Sequence, residues 1–150
     1  MRVVVQRVSE ASVEVDGVVV SSIGTGLLIL VAFRIGDSDA ELDWMARKCL
    51  ELRIFGDNEG KMNRSLLDVG GRLLVVSQFT LYGDSRRGRR PDFTASAPAA
   101  EAQALYRRFL EIMGGLYPKV AEGVFGAMMT VRLVNDGPVT LIIDRDADRL

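Results

Sequence analysis

A continuous apolar run in the first third of the chain places the strongest constraint on the fold. Residues 27–33 are seven consecutive apolar residues, and the charge-free segment that contains them, 23–33, is too short to cross a bilayer. A run of this length without polar alternation is typical of a strand that is buried on both faces. The sequence therefore predicts a central strand with other structure packed against both of its sides.

Shorter strand patterns surround this run. In residues 2–8 and 12–15 the apolar residues either alternate with polar ones or follow one another without a break, which indicates strands. Asp16-Gly17 then predicts a tight hairpin before a strand at 18–23. A turn is expected at 135–138, where Asn, Asp, Gly and Pro follow one another. The remaining strands are predicted at residues 52–55, 72–77, 120–124, 128–134 and 139–143.

Two segments have helical patterns. Ser38 and Glu41 form a capping box for a helix that runs to about residue 50. A second helix is predicted from about residue 98 to residue 113, with Ser96 as its cap and Gly114-Gly115 as its end. The pattern predicts an α+β fold in a single domain, 1–150, with a largely antiparallel, barrel-like sheet packed by two helices. The charged tail, 144–150, is expected to fray.

The composition excludes several classes of protein. The chain has one cysteine, Cys49, and no histidine, so an intramolecular disulfide and a Cys/His zinc site are both excluded. Because the acidic residues are scattered, we expect no metal and no cofactor. The N-terminal apolar stretch contains a charge and lacks a cleavage site, which favours a strand over a signal peptide. We therefore expect a cytoplasmic protein that makes no use of a membrane.

The stretch Ser77-Gln78-Phe79-Thr80 is the first candidate for chemistry. It ends an apolar strand, where freed backbone N–H groups and polar side chains can bind a developing oxyanion. Since the chain has no histidine, neither hydroxyl has the imidazole that usually serves as its base. This favours backbone oxyanion stabilisation over a covalent nucleophile. The structural alternative is that Ser77 and Thr80 satisfy local backbone groups while Phe79 packs in the core.

A basic loop follows this stretch. Arg86, Arg87, Arg89 and Arg90 lie among two aspartates, which gives a charge of +2 over residues 84–92 in a chain of net charge −1. A local basic patch on a nearly neutral protein suits an anionic partner that must be released. The alternative is a solvated loop that has no partner.

Two further constellations could line a binding site. Gly137-Pro138 can present its carbonyl oxygens as a rigid reader of small-molecule shape, although an ordinary trans turn is the better prediction from sequence alone. Phe125-Gly126, with Met129 close behind, offers apolar surface for a flat base or an amino-acid side chain, unless it fills the core. Arg7 lies inside the first strand pattern, where a carboxylate or a carbonyl partner would explain it.

Several motifs occur together along nearly the whole chain. They are Val5-Gln6-Arg7-Val8, Leu52-Arg53-Ile54-Phe55, Gly60-Lys61-Met62-Asn63, Val76-Ser77-Gln78-Phe79-Thr80-Leu81-Tyr82, Gly88-Arg89-Arg90-Pro91 and Val134-Asn135-Asp136-Gly137-Pro138-Val139-Thr140. In this order and spacing they resemble the D-aminoacyl-tRNA deacylase family, first described as D-tyrosyl-tRNA deacylases. The resemblance implies a homodimer that hydrolyses the ester between a D-amino acid and the 3′-terminal adenosine of tRNA.

The resemblance also implies roles for the candidate residues. Gly137-Pro138 would be cis, held by Arg7, and would reach across the dimer to face the 77–80 pocket of the partner subunit. Phe125, Gly126 and Met129 would line the pocket for the terminal nucleotide. The arginines of the basic loop would contact tRNA phosphate, and no DNA partner is expected.

The same resemblance explains how the missing histidine could be replaced. A ribose hydroxyl of the substrate lies beside the ester and can help to activate water, while amides near Phe79 and Thr80 bind the oxyanion. An L side chain would collide with the Gly-Pro backbone, whereas a D side chain would point to solvent. Glycine has no side chain to reject, so glycyl-tRNA should also be accepted.

Two alternatives remain open from the sequence. The first is a covalent esterase with Thr80 as nucleophile, whose activity Thr80→Ala would abolish. The second is a non-catalytic RNA-binding dimer, which would bind acceptor stems in a salt-dependent way and leave the ester intact.

Overall fold

The computed structural model describes residues 1–146, which form eight strands, three helices and one 3₁₀ turn. The strands are β1 (Arg2–Val15), β2 (Val18–Ile23), β3 (Gly26–Ala32), β4 (Phe55–Gly56), β5 (Met62–Arg64), β6 (Arg72–Ser77), β7 (Val120–Glu122) and β8 (Thr130–Asp144). The helices are α1 (Asp39–Glu51), α2 (Leu66–Val69) and α3 (Ala99–Leu116), and the 3₁₀ turn is Phe79–Tyr82. None of the helices in this part of the chain is both long and apolar enough to cross a membrane.

Six strands form one sheet in the order β2-β1-β3-β6-β7, and β8 lies on β1 as an additional neighbour. The pairs of β1 with β2, β3 and β8 are antiparallel, whereas β3-β6 and β6-β7 are parallel. Because β1 is long enough to pair with three strands, the sheet curls into a nearly closed barrel. The predicted α+β class with a largely antiparallel, barrel-like sheet is confirmed, with α2 added to the two expected helices.

The apolar run becomes β3, the strand between β1 and β6, and nearly all of its residues are buried. Leu27, Ile29 and Val31 point into the larger core, which also takes the apolar faces of α1 and α3. Leu28 points into a second core, where it packs with Leu74 and neighbours from β1. Two hydrophobic cores therefore explain why this strand needs no polar face.

Helix α1 begins as predicted. The Ser38 backbone N–H donates to the Glu41 carboxylate at 3.0 Å, and the Ser38 hydroxyl oxygen accepts from the N–H of Ala40 at 3.4 Å. Helix α3 departs from the prediction at both ends. Ser96 is not its cap, because its hydroxyl donates to a carbonyl elsewhere, and Gly114-Gly115 lies within the helix. The free energy gained by burying apolar side chains near this end of the helix outweighs the roughly 1 kcal/mol that each glycine costs in a helix.

Other predictions need correction. The strand expected at 52–55 is reduced to β4, and α2 was not anticipated, although Ser65 and Asp68 form a capping box for it. The two strands expected at 128–134 and 139–143 are one strand, β8. The tail was expected to fray from residue 144, but Asp144 pairs with Arg2 at 2.6 Å, and the Arg145 N–H donates to the Met1 carbonyl at 2.9 Å. The rest of that tail, 147–150, lies outside the described residues.

Candidate active site

A cavity of about 430 Å³ opens where β3 and β6 end, beside the 3₁₀ turn and the start of α3. Its walls are almost entirely apolar, with a few hydroxyl groups among them. The lining residues are Val31, Ala32, Phe33, Ser77, Phe79, Phe93, Ser96, Ala97, Pro98, Ala99, Ala102, Phe125 and Gly126. A concave apolar site with a few polar groups at its edge is the usual form of a small-molecule pocket.

The stretch 77–80 forms one edge of this cavity. Its first part is fixed, because the Gln78 N–H donates to the Val31 carbonyl of the neighbouring strand at 2.7 Å. The chain then turns into the 3₁₀ segment, whose first two N–H groups have no partner within the turn. Those of Phe79 and Thr80 donate to no acceptor among residues 1–146. Two free amides therefore follow each other in the chain, one on Phe79, which lines the cavity, and one on Thr80, the next residue.

The side chains of this stretch are placed differently from one another. Ser77 and Phe79 line the cavity, whereas Gln78 and Thr80 do not. The Gln78 amide nitrogen donates to the Thr80 hydroxyl oxygen at 2.5 Å. Phe79 is 55% exposed, so it does not pack in the core as the structural alternative required.

Phe79 is held from two sides. Its ring meets the ring of Phe93 edge-on, with centroids 5.2 Å apart. Its carbonyl oxygen accepts a hydrogen bond from the Ser96 hydroxyl at 2.9 Å. The Ala97 N–H in turn donates to the Phe33 carbonyl at 2.9 Å, which ties the segment before α3 to the end of β3. These contacts hold the Phe79 ring and fix the direction of the peptide group that joins Phe79 to Thr80.

Phe125 and Gly126 form another part of the cavity wall. The Phe125 ring lies against Tyr106 of α3, with centroids 5.7 Å apart, and the Tyr106 hydroxyl donates to the Val75 carbonyl at 2.9 Å. Burial raises the pKa of Tyr106, so this hydroxyl keeps its proton and remains a donor. Met129 does not line the cavity; it packs against the second core beside Val76. Its predicted role in nucleotide binding stays a prediction.

Gly137-Pro138 is a cis peptide in a bulge of β8. Asn135 and Thr140 pair with Val8 and Gln6 of β1, so the four residues 136–139 stand opposite Arg7 alone. The Arg7 guanidinium donates to the Asp136 carbonyl at 3.1 Å and to the Ile54 carbonyl at 2.6 Å. It also lies 3.1 Å from the Asp136 carboxylate. Arg7 therefore joins the bulge to the segment before β4.

The structure brings the candidate residues into two groups rather than one. Ser77, Phe79, Phe125 and Gly126 surround the cavity, whereas Arg7 and Gly137-Pro138 form a separate cluster whose members are absent from the cavity wall. Within one chain, the motif does not face the pocket.

The basic loop is closed at its base by two backbone hydrogen bonds between Asp84 and Asp92, at 2.7 and 2.9 Å. Arg86 folds back onto Asp84 with a shortest N–O distance of 2.6 Å. The hydrogen bonds from Arg86 lower the pKa of Asp84 to about 2. Arg87, Arg89 and Arg90 are exposed and have no ion-pair partner among residues 1–146.

The local sequence pattern did not predict several residues of the site. Phe93, Ser96 and Tyr106 support or line the cavity, but each lies in a segment whose local pattern indicates only loop or helix. A run of small residues from 95 to 100 was a usable signal, since small side chains leave room for a cavity beside a helix. In residues 1–146, no group of three or more acidic or cysteine side chains could hold a metal ion.

This chain is similar to known proteins over nearly its whole length. The family model described as D-Tyr-tRNA(Tyr) deacylase matches residues 4–144. A protein of Thermomicrobium roseum named D-aminoacyl-tRNA deacylase is 61% identical, with 96% of this chain and 94% of the relative covered. A relative from Acaryochloris marina with the same name is 52% identical, with 99% and 98% covered.

Two solved structures have folds similar to that of this chain. A structure titled c-Myc DNA Unwinding Element Binding Protein superimposes with a TM-score of 0.93 at 41% identity, and covers 98% of this chain and 100% of its own. A structure titled as a probable eukaryotic D-amino acid tRNA deacylase has the same fold, with a TM-score of 0.82 at 23% identity and 96% and 98% covered. The chain belongs to the D-Tyr-tRNA(Tyr) deacylase family, and the prediction that it is a hydrolase acting on D-aminoacyl-tRNA is confirmed.

Proposed function

We propose that this chain proofreads the chirality of aminoacyl-tRNA by hydrolysing the ester of D-amino acids in the cavity beside residues 77–80. The observation that carries the mechanism is the pair of consecutive free amides, Phe79 N–H and Thr80 N–H, in a turn whose first residue, Phe79, lines an apolar cavity. Such amides stabilise the oxyanion of a tetrahedral intermediate, and they are most effective where water is excluded.

The side chains around these amides do not form a nucleophile with its base. The chain has no histidine, and the Thr80 hydroxyl is bonded to an amide, Gln78, that cannot take up its proton. An unactivated hydroxyl is a weak nucleophile, so we assign the attack to a water molecule rather than to Thr80. The ribose hydroxyl beside the ester then assists the attack, while the protein contributes position and oxyanion binding.

The aromatic walls of the cavity suit the terminal adenosine. Phe79, Phe93 and Phe125 present rings to the cavity, and a flat base stacks on aromatic faces with about 1–3 kcal/mol per base. Gly126, with φ of 76°, adds no side chain to the wall. The esterified ribose would then lie towards the 77–80 edge.

Chirality reading requires a second copy of the chain. Gly137-Pro138 does not line the cavity of its own subunit, so it meets a substrate only if it enters the cavity of a partner. The strand that carries it supports this arrangement, because Val134, Leu141 and Ile142 of β8 are 50%, 36% and 68% exposed. An exposed apolar strand of this kind is typical of a surface that is covered in a dimer.

The rigid bulge then selects by collision. An L side chain runs into the Gly-Pro backbone, a D side chain points away, and glycine passes the filter because it has no side chain. Glycyl-tRNA is therefore a second substrate. An aminoacyl-tRNA substrate is consistent with a cytoplasmic location. That location stays a prediction.

The test compares two substitutions at the same residue. Thr80→Ala removes the hydroxyl and keeps the N–H, whereas Thr80→Pro removes the N–H, which makes no hydrogen bond within the turn. Release of D-tyrosine and L-tyrosine from matched aminoacyl-tRNAs is measured, with circular dichroism to confirm that each variant is folded. We expect D-selective release that Thr80→Ala keeps within about tenfold and that Thr80→Pro reduces by about 100-fold or more.

Other outcomes separate the alternatives. Loss of activity in Thr80→Ala would identify a hydroxyl nucleophile. Normal activity in a folded Thr80→Pro variant would rule out this amide as an oxyanion donor. Absence of release from either ester by the natural protein would leave a non-catalytic RNA-binding dimer.

A further inference from the structure

We propose that Arg87, Arg89 and Arg90 bind backbone phosphates near the acceptor end of the tRNA, while Arg86 holds the loop in shape and contacts no RNA. The proposal rests on the proposed function for the identity of the RNA, and on the loop itself for the site. It divides four arginines that look equivalent in the sequence into two roles.

The first observation is that hydrogen bonds hold the exposed loop in a defined conformation. Asp84 and Asp92 exchange two backbone hydrogen bonds, and Gly88, with φ of 72°, makes the turn between the two arms. Arg86 places its Nε 2.9 Å and its Nη2 2.6 Å from the two oxygens of Asp84. A two-point arginine–carboxylate contact fixes both groups, so Arg86 is occupied at the base of the loop.

The second observation is a concentration of guanidinium groups without acidic partners. Elsewhere in residues 1–146, Arg2, Arg47, Arg108 and Arg132 each form an ion pair with a nearby carboxylate. The remaining three arginines of the loop have none, although they lie within four residues of one another. Like charges held this close repel one another, and a polyanion removes that repulsion.

The third observation is the position of the loop at the cavity. Phe93 follows Asp92 directly, lines the cavity and contacts Phe79, while Gly83 precedes the loop and packs against the Phe93 ring. Both ends of the loop therefore start at the pocket for the ester. An arm of four residues reaches at most about 14 Å, so the arginines lie within range of the nucleotides next to the terminal adenosine.

The experiment uses a substrate with phosphates and one without. The triple variant Arg87→Gln/Arg89→Gln/Arg90→Gln is compared with the natural protein on D-tyrosyl-tRNA and on D-tyrosyl-adenosine, which carries the same ester and no phosphate. A matched control, Arg47→Gln/Arg72→Gln/Arg107→Gln, changes the net charge equally at exposed positions away from the loop. Binding of uncharged tRNA is measured for the same proteins by fluorescence anisotropy.

We expect the triple variant to raise KM for D-tyrosyl-tRNA at least about tenfold at low salt and to leave hydrolysis of D-tyrosyl-adenosine unchanged. Three lost phosphate contacts reduce the slope of log Kd for tRNA against log salt concentration by about 2. Arg86→Gln should leave that slope within about 0.3 of the natural value, because Arg86 makes no phosphate contact. The control variant should show neither change.

Three results would overturn the proposal. They are an equal loss in the triple variant and its control, an equal loss on both substrates, and an unchanged salt slope. The tRNA binding measurement keeps the test independent of catalysis. If the natural protein hydrolyses neither ester, the proposed function fails, while the loop is still judged by its effect on tRNA affinity.

Discussion

The Ser96 hydroxyl donates a 2.9 Å hydrogen bond to the carbonyl oxygen of Phe79 across seventeen positions of sequence. This bond fixes the peptide that joins Phe79 to Thr80, and that peptide also carries the Thr80 N–H. The segment before α3 therefore sets the direction of a proposed oxyanion donor without touching the substrate at that atom. Ser96 acts here as a positioning residue.

Replacement of Ser96 by alanine should loosen this peptide. A hydrogen bond of this kind contributes about 1 kcal/mol, so we expect kcat on D-tyrosyl-tRNA to fall about fivefold while KM changes little. Steady-state kinetics with the purified protein measures both values. The split between kcat and KM distinguishes positioning of the amide from general damage to the cavity.

Ser9→Ala is the matched control, because Ser9 is exposed and its hydroxyl has no hydrogen-bond partner among residues 1–146. It should leave kcat unchanged. An unchanged kcat in a folded Ser96→Ala variant would show that the turn holds its shape without this bond.

Cys49 should be chemically silent in the folded protein. It is fully buried in α1, and burial raises the pKa of its thiol to about 12, against about 8.5 for a free cysteine. Below pH 12 the native thiol keeps its proton, so a thiol reagent at pH 8 should label it only as fast as the protein unfolds. Labelling followed by absorbance, with and without denaturant, tests this.

The same pKa difference makes stability depend on pH. Between pH 8.5 and pH 12 the unfolded chain releases a proton that the folded chain retains, so deprotonation favours unfolding and stability falls as the pH rises. From pH 7 to pH 10 the natural protein should lose about 2 kcal/mol of unfolding free energy relative to Cys49→Ala. Urea unfolding at both pH values measures the difference, and a constant difference would contradict the prediction.

Local signals were sufficient for much of the fold. The unbroken apolar run identified β3, and the Ser38 and Glu41 pair identified the start of α1, because each depends on residues close together in sequence. The end of α3 was misplaced for the opposite reason. Gly114 and Gly115 have weak helix propensity, but Met113 is buried in the core, and tertiary packing decides where the helix ends.

The site was only partly predictable. The 77–80 stretch could be recognised, since a strand turns polar there, but its partners Phe93 and Ser96 are brought to it by a bond between Ala97 and Phe33 that no local pattern encodes. The relation between Arg7 and the Gly-Pro motif likewise depends on the register of β1 with β8. Because β1 and β8 lie at opposite ends of the chain, no local sequence pattern shows how they pair.

The last prediction concerns Gly137, whose φ of 126° suits glycine. A Cβ at this position would lie 2.9 Å from the Arg7 guanidinium and 2.9 Å from a methyl group of Val139. Gly137→Ala should therefore displace the bulge, and we expect the ratio of D-tyrosine to L-tyrosine release to fall at least about tenfold. Gly24→Ala is the control, because a Cβ there meets open space. It should leave the ratio unchanged.

Mixed subunits show which chain the motif serves. If Gly137-Pro138 acts in the cavity of the partner, a Gly137→Ala subunit paired with a Thr80→Pro subunit contains one cavity whose amides and whose facing motif are both intact. After the two variants are refolded together, the mixed dimer, isolated through a different affinity tag on each subunit, should release D-tyrosine with the selectivity of the natural protein, whereas Gly137→Ala alone is poorly selective and Thr80→Pro alone is nearly inactive. If the motif acted within its own chain, each cavity of the mixed dimer would carry one of the two defects. Selectivity would stay lost, and the cross-subunit arrangement would be wrong.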